Sequence, residues 1–594
     1  FVVAANCIFT APDRQMTAGS SNKTTLGQAR PLEVLPRAIF VGILCGLGFG
    51  LVMAIVSNGF VMGVEWLTSL RESRLAVPVQ IGSLSMSVGP LISLLCAAGM
   101  LILIKSVFGI ARWHGPADAI HAAHRSDNEL DVRSGFGSTL AAFMSASGGA
   151  SVGQYGPLVH FGATMGSFLR QMTGGIQSTD IFIGCGVAGA IAAGFNAPIA
   201  GIIFAHEAIL RHFSIRAIGP IAISSVSSVW FSERFFGSRQ LFDFASVSIN
   251  LGEMLPAALL TGPVFGLVAV LFMMAIRHSA RFAARSGWSF TRLVMTAALI
   301  TGCAGMFVPE VLGLGTETVS DILNGGATLS FLITVLILKL LLTALCIGFG
   351  MFGGVFSPAL FVGAAAGGIA GSVMITLFGF GSHTALAICG MAAVASAVIG
   401  APVAGVLIIL EMTMNYQFAL VAMVSVVAAI MVTNVLFGHS FFDRQLLDRG
   451  IDIAQGRGHI EMTEMPVTAV IRTDYVRIGQ RDTIADALML FRNGHATEGY
   501  IVDENGGFTG KVSLHALIGL PAKAVASETA DAEPISIKHD ASLLQAIEVA
   551  SNFVGESLPV INRDTGHLLG VVTEADLFGL YLGLQNRVAD LERS

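Results

Sequence analysis

The stretch "GQYGPLVHFGATMG", residues 153–166, reads as membrane helix except at its start, where Gly153, Gly156 and Pro157 bracket a tyrosine, Tyr155. Glycine and proline together end one helix or begin another, and proline is well tolerated in a first helical turn. The pattern returns as "GVFSPALFVGAAAG", residues 354–367, with Gly153, Pro157, Gly162 and Gly166 falling on Gly354, Pro358, Gly363 and Gly367. A second ungapped pair follows each block. "CGVAGAIAAGFNAPIAGIIFAHE" (185–207) lies on "CGMAAVASAVIGAPVAGVLIILE" (389–411), ending on Glu207 and Glu411. Matched spacing across two blocks marks an internal duplication rather than a chance likeness of Gly/Ala-rich helices.

The surrounding composition says where this duplication sits. The 594 residues are 54% hydrophobic and 12% charged, against about 25% charged in a soluble globular chain. No Asp, Glu, Lys or Arg occurs in 75–104, 181–206, 340–410 or 412–442. One crossing takes roughly 20 apolar residues, so the span 340–410 crosses or re-enters more than once. Its prolines and many glycines break helices at membrane depth, which is tolerated only where protein or an aqueous cavity satisfies the freed backbone groups. In duplicated transporters of this kind, broken helices point their N-termini at an anionic substrate near the midplane. The seven cysteines are scattered without a CxxC pair and the 14 histidines show no zinc spacing, so no metal site is expected. Net charge is −6, and no nucleic-acid partner is expected. The first 33 residues are mostly polar and lack the basic-then-apolar order of a signal peptide.

These motifs resemble those of the CLC family of chloride channels and chloride/proton antiporters, over about residues 34–450 and on through the tail. The resemblance implies a polytopic α-helical membrane fold with inverted repeats, a homodimer with one pore per subunit, and chloride held by backbone amides at helix N-termini. The family's Gly-x-Phe-x-Pro motif is intact at Gly354–Pro358, so the amides of Val355 and Phe356 would face the anion. Its Gly-(Lys/Arg)-Glu-Gly-Pro motif is Gly153, Gln154, Tyr155, Gly156 and Pro157, with Tyr155 in place of the gating glutamate. Its Gly-Ser-Gly-Ile-Pro motif is "RWHGP": Trp113 stands at the pore serine, followed by His114, Gly115 and Pro116. The late tyrosine position falls on Phe442, and Ala208, after Glu207, replaces a second glutamate used in proton transfer.

Each departure changes the chemistry. A phenol with an ordinary pKa near 10 stays neutral at physiological pH, so Tyr155 cannot act as a mock anion, although its hydroxyl can donate to chloride or plug the path. With Ala208 at the inward position, both familiar proton stations are absent. A passive chloride-type anion channel is therefore expected, the alternative being a proton-coupled anion exchanger that uses His160, His206 or Glu207. Trp113 and His114 either replace the serine hydroxyl with N–H donors or sit at the membrane interface; both readings stand. Glu207 and Glu411 share their place in the repeats, which suggests that they satisfy broken helices. Fluoride-exporting relatives keep the glutamate and carry asparagine-rich variants of the third motif, so fluoride specificity is not expected.

From about Met465 the pattern changes to short β-branched runs alternating with amphipathic helices, twice in strand–helix–strand–strand–helix order with "DENGG" and "RDTG" as hairpin turns. This resembles a tandem pair of CBS domains, an α/β unit, and "GVVTEADL" (570–577) is its most specific match. The resemblance places Asp576 on the ribose and Thr573 on the phosphate of an adenine nucleotide; a dimerisation tail without ligand is the other reading. The expected organisation is a polar cytoplasmic segment (1–33), a transmembrane domain (34–450), a linker (451–464) and two CBS units (465–520 and 526–585). A bacterial inner-membrane location with the tail in the cytoplasm follows from the resemblance, and Arg444 and Arg449 agree with that side. A sensor whose membrane part does not conduct is a further class. No required cofactor and no enzyme are expected, since no nucleophile–base constellation, P-loop or HExxH motif occurs.

Overall fold

The computed structural model describes residues 34–74, 78–81, 84–125, 129–173, 179–237, 241–242, 249–494 and 496–593. The polar segment expected at 1–33 lies outside the described residues. Residues 34–42 form the opening turns of the first helix, and the compact body runs from Ile43 onward.

Among the described residues the membrane part is built of helices, with one short antiparallel hairpin, β1 (Pro78–Ile81) with β2 (Leu84–Ser87). Helices α1 (Val34–Arg74), α2 (Gly89–Phe108), α3 (Pro116–His124) and α4 (Val132–Gly148) precede the first repeat block. That block is α5 (Tyr155–Thr173), α6 (Thr179–Phe195) and α7 (Pro198–Leu210), the last of which changes from α to π geometry at Ala205. Next come α8 (Ile215–Phe236), α9 (Leu251–Arg285), α10 (Phe290–Phe307), α11 (Thr316–Leu323) and α12 (Leu329–Gly348). The second block is α13 (Phe356–Phe378), α14 (His383–Ile399) and α15 (Pro402–Thr413), followed by α16 (Tyr416–Leu436) and α17 (Phe441–Leu447). Seven of the described helices are long and apolar enough to cross a bilayer, while α6, α7, α14 and α15 are shorter apolar pieces.

The duplicated glycines are the packing seams of the two blocks. A Cβ on Gly162 would lie 2.3 Å from the Gly186 carbonyl oxygen, and one on Gly363 would lie 2.3 Å from that of Gly390. These are equivalent pairs in the two repeats, and small residues at such positions let membrane helices approach backbone to backbone. The breaks are equivalent too. Asn196 (φ 53°) and Gly400 (φ 78°) adopt left-handed backbone at matched positions, which ends α6 and α14. Pro198 and Pro402 then restart the chain as α7 and α15.

The stretch expected as a linker contains a helix, α18 (Arg457–Glu464). Beyond it, β3 (Val476–Gly479), α19 (Ile484–Gly494), β4 (Glu498–Val502), β5 (Phe508–Ser513) and α20 (Leu514–Leu517) form the first tail unit. The second comprises β6 (Ile537–Lys538), α21 (Leu543–Ala550), β7 (Leu558–Ile561), β8 (Leu568–Val572) and α22 (Glu574–Arg593). In each, a parallel pair is followed by an antiparallel hairpin, β3-β4-β5 and β6-β7-β8. The units exchange matching bonds: Thr497 N–H donates to Glu556 (3.1 Å) and Ser557 N–H to Glu498 (2.9 Å).

Candidate functional site

The two Gly-x-x-x-Pro breaks meet. Gly153 N–H donates to the Gly354 carbonyl and Gly354 N–H to that of Gly153, both at 2.6 Å, forming an isolated antiparallel bridge. Reciprocal contact of equivalent residues is the signature of a two-fold relation, here between halves of one chain. Glycine is required: a Cβ on Gly153 would lie 2.9 Å from the Gly354 oxygen, and one on Gly354 would lie 2.8 Å from Gly156 N. The start of α3 joins them, since a Cβ on Gly156 would lie 3.5 Å from the Pro116 ring and 2.9 Å from Gly354 Cα. Three helix N-termini therefore converge, each bringing unpaired N–H groups and the positive end of a helix dipole.

They are not equally free. At α3, Asp118 accepts from Gly115 N–H at 2.9 Å, and its other oxygen accepts from Arg112 (2.6 Å) and Arg449 (2.9 Å). No side chain caps α13 at Val355, and among the described residues no carboxylate reaches the first amides of α5. Around these two open ends sit buried polar atoms without partners: Gln154 Oε1, the Tyr155 hydroxyl and Ser357 Oγ. All three residues line one narrow cavity with Thr316, Leu360 and the apolar side chains of Leu241, Phe242, Leu314 and Val319. Buried polar groups need a partner, and a cavity this narrow has room for about one water.

Tyr155 stands at that opening. It is 3% exposed, and its ring lies 3.9 Å, centroid to centroid, from Phe195 and 6.4 Å from Phe356. Phe195 and Phe356 are themselves 5.2 Å apart at 89°, so three rings close the space beside the bridge. Gly194 makes room: a Cβ there would lie 2.7 Å from the Tyr155 ring. Phe195 and Ser357 were not singled out in the sequence. The signal was their position, directly before the Asn-Ala-Pro break and inside the Gly-x-Phe-x-Pro motif.

Other candidates fall differently. The Trp113 indole N–H donates to the Gly350 carbonyl at 3.0 Å, and its ring packs against Phe290 and Phe352. The donor is thus engaged within the protein rather than turned to an anion, and the ring is half-buried against those side chains. His114 N–H donates to Ser138 Oγ, while its Nδ1 is buried without a partner. His160 is fully buried with Nε2 unpartnered. His206 stacks on Phe213 with Nδ1 at the His212 carbonyl and Nε2 unpartnered. Phe442 is buried on α17, which packs against α3, and its ring lies 6.0 Å from Phe441. Among the described residues it makes no ring contact with Tyr155, Phe195 or Phe356.

Glu207 and Glu411 cap each other's repeat. Glu207 accepts from Val403 N–H (3.0 Å) and Ala404 N–H (2.8 Å) at the start of α15. Glu411 accepts from Ile199 N–H (2.9 Å) and Ala200 N–H (2.7 Å) at the start of α7. Both oxygens of Glu207 are thus engaged, and Ala208 beside it is fully buried in the π-helical turn.

In the tail, burial pushes the Asp576 carboxyl up, but the Thr573 hydroxyl and Arg472 outweigh it and hold it below the usual carboxylate range. The Thr573 hydroxyl donates to Asp576 at 2.6 Å and Arg472 to its other oxygen at 2.6 Å. The two residues therefore serve as the N-terminal cap of α22. A nucleotide's ribose hydroxyls would share the Asp576 carboxylate with Arg472 and Thr573, and the Thr573 proton would have to turn from Asp576 to reach a phosphate.

The family model described as voltage gated chloride channel matches residues 95–434, and the CBS domain model matches residues 467–523 and 526–583. A ClcB-like chloride channel protein of Ralstonia nicotianae is 28% identical over 368 residues, covering 59% of this chain and 84% of the relative. Among solved structures, a slow cyanobacterial Cl−/H+ antiporter superposes with TM-score 0.60 at 22% identity, over 69% of this chain and 97% of the other. A eukaryotic CLC transporter gives TM-score 0.58 at 21% identity, over 91% and 98%. At those identities the superpositions establish a shared fold.

Proposed function

The chain belongs to the voltage gated chloride channel (CLC) family, and from that premise we propose that it conducts chloride and similar anions passively, without obligatory proton exchange. It is a multi-pass membrane protein of a family of channels and antiporters rather than enzymes. The observation that carries the reading is Tyr155, a neutral side chain buried between two open helix N-termini where the family resemblance implies a carboxylate. Dipole ends and amides attract the anion, and the phenol donates to it without competing as a charge. The Val355 and Phe356 amides form one wall of the path; Gly153, Gln154 and Gly156 form the other. Gly115 and His114 lie at its α3 side, and Phe442 narrows the inner end. The functional unit is a homodimer in a bacterial inner membrane with the tail in the cytoplasm.

A second reading, proton-coupled exchange, is favoured by the unpartnered buried nitrogens of His160 and His206. Glu207 supports it less, since both its oxygens already accept backbone N–H groups. One experiment separates them: chloride efflux from proteoliposomes with the potential clamped by potassium and valinomycin and the external pH recorded. Passive conduction gives efflux with no uphill proton movement. Stoichiometric proton uptake against a gradient sinks it in favour of exchange, and absence of any flux favours a non-conducting sensor.

A further inference from the structure

The sequence offered no metal-ligand spacing, yet folding gathers three donors that lie apart in the chain. His114 precedes α3, Asp118 sits in its first turn, and His160 comes from the second turn of α5. One donor atom from each lies within 4.8 Å of the other two. Their burial is graded, with His160 fully buried, Asp118 6% exposed and His114 half-buried.

Hydrogen bonding decides what the cluster can hold. The single Thr164 hydroxyl proton is donated to the His160 carbonyl at 2.8 Å. Toward His160 Nδ1, 3.5 Å away, that oxygen can therefore only accept. A proton on His160 Nδ1 matches that acceptor, and Nε2, the atom the site needs as a lone pair, is fully buried with no partner. His114 Nδ1 is likewise buried and unpartnered, and the two rings are 6.0 Å apart, edge to face. A carboxylate has about four lone-pair sites; Asp118 uses three, on Arg112, Arg449 and Gly115. Two imidazole lone pairs and a carboxylate suit a borderline divalent transition metal of the zinc class, and such sites commonly pair three protein ligands with one open position. Tetrahedral bonds of about 2.1 Å put donors roughly 3.4 Å apart, so the cluster closes by small side-chain adjustments.

The geometry points to a divalent transition-metal site formed by His114, Asp118 and His160 beside the convergence of α3 and α5, with its open position available to water or an anion. Arg112 and Arg449 oppose a dication, so binding is weaker than in a structural zinc site. Arg112 is the looser of the two, with half of its side chain exposed. The site does not depend on whether the chain conducts or exchanges, because binding is read without flux.

The test is titration of the full-length protein in detergent with zinc sulfate, counting bound zinc per chain after dialysis. The wild type is expected to hold one zinc that both His160→Gln and His114→Ala lose. Equal zinc content in the wild type and either variant overturns the site. Arg112→Gln removes a like charge and is expected to tighten binding about tenfold; unchanged or weaker binding rules out Asp118 as a ligand and overturns the three-donor assignment. Should the histidine variants fail to fold, X-ray absorption of the zinc-loaded wild type decides the matter. Two imidazoles with oxygen support the site, and sulfur ligation overturns it.

Discussion

Helices α3, α5, α7, α13 and α15 each begin at a break with proline in the first turn, and they divide into two kinds. At α7 and α15 Glu411 and Glu207 each take two of the first helix amides, and at α3 Asp118 takes the amide of Gly115 just before the helix. At α5 and α13 they are left open, facing each other across the Gly153–Gly354 bridge. A helix N-terminus is an anion site by default, so what distinguishes an anion path from a structural joint is whether an internal anion already occupies it. Proline opens each of these helices, after a glycine at four of the breaks and after Asn196 at α7. The acids then seal three of them.

The comparison can be broken most severely at the seams that bring the open ends together. Gly186→Ala puts a Cβ 2.0 Å from the Gly162 carbonyl oxygen, where backbone cannot yield. We expect a loss of roughly 3 kcal/mol or more, seen as failure to recover monodisperse protein by size-exclusion chromatography. Recovery at wild-type yield would mean that α5 and α6 can part.

Unsealing a closed end comes next. Glu411→Ala leaves the Ile199 and Ala200 amides without their acceptor, and Glu207→Ala does the same at α15. Each change should cost about 2–4 kcal/mol, from two unsatisfied groups at about 1–3 kcal/mol each partly rescued by water, and lower the thermal midpoint in detergent. Glu→Gln at either site keeps one good acceptor and should lose about half as much. Equal midpoints for Glu207→Ala and wild type would remove the cap and restore Glu207 as a free proton carrier.

Tyr155 tests the open ends directly. Tyr155→Ala removes one ring of the three-ring cluster and should raise chloride flux about tenfold, equivalent to about 1.4 kcal/mol off the barrier. Unchanged flux would reduce the ring to packing. Tyr155→Glu turns an open end into a sealed one and should make flux fall as pH rises and the new carboxylate ionises. Proton coupling should stay poor while Ala208 remains.

The tail cap is the mildest case. Thr573→Ala removes the α22 cap and should cost about 1 kcal/mol, measured by proteolytic susceptibility of the tail in the full chain. Because the folded Asp576 carboxyl is held below its usual value, its contribution is present above about pH 4 and fades as pH falls through the lowered value. Thr573→Ala should therefore flatten that acid dependence. Adenosine nucleotides should shift the wild-type midpoint by less than about 1 °C, since nothing that fails to bind the native state stabilises it. A clear shift would show that Arg472 yields its place.

Legibility followed chemistry unevenly. The duplication could be read because a backbone-to-backbone seam permits no residue but glycine, so Gly162, Gly186, Gly363 and Gly390 imprint the packing on the sequence. The tail could be read because period-two strands and turn residues are local. Trp113 could not, since a single indole N–H has many acceptors within reach and nothing in "RWHGP" names Gly350. Thr573 and Asp576 carry the motif's expected roles on phosphate and ribose, but nothing in "GVVTEADL" names Arg472, the distant residue that pairs with Asp576.

The sequence by itself therefore determined the membrane class, the two repeats, the breaks within those repeats and the absence of an acid at Tyr155 and Ala208. All of these are properties of local pattern or of a residue's own chemistry. Tertiary structure decided which broken helices stay open, that Glu207 and Glu411 seal each other's repeat, that Phe195 stacks on Tyr155, and that His114, Asp118 and His160 meet. Those are pairings between groups far apart in the chain. A carboxylate caps whichever N-terminus the fold brings within about 3 Å, and that distance appears only once the halves are docked.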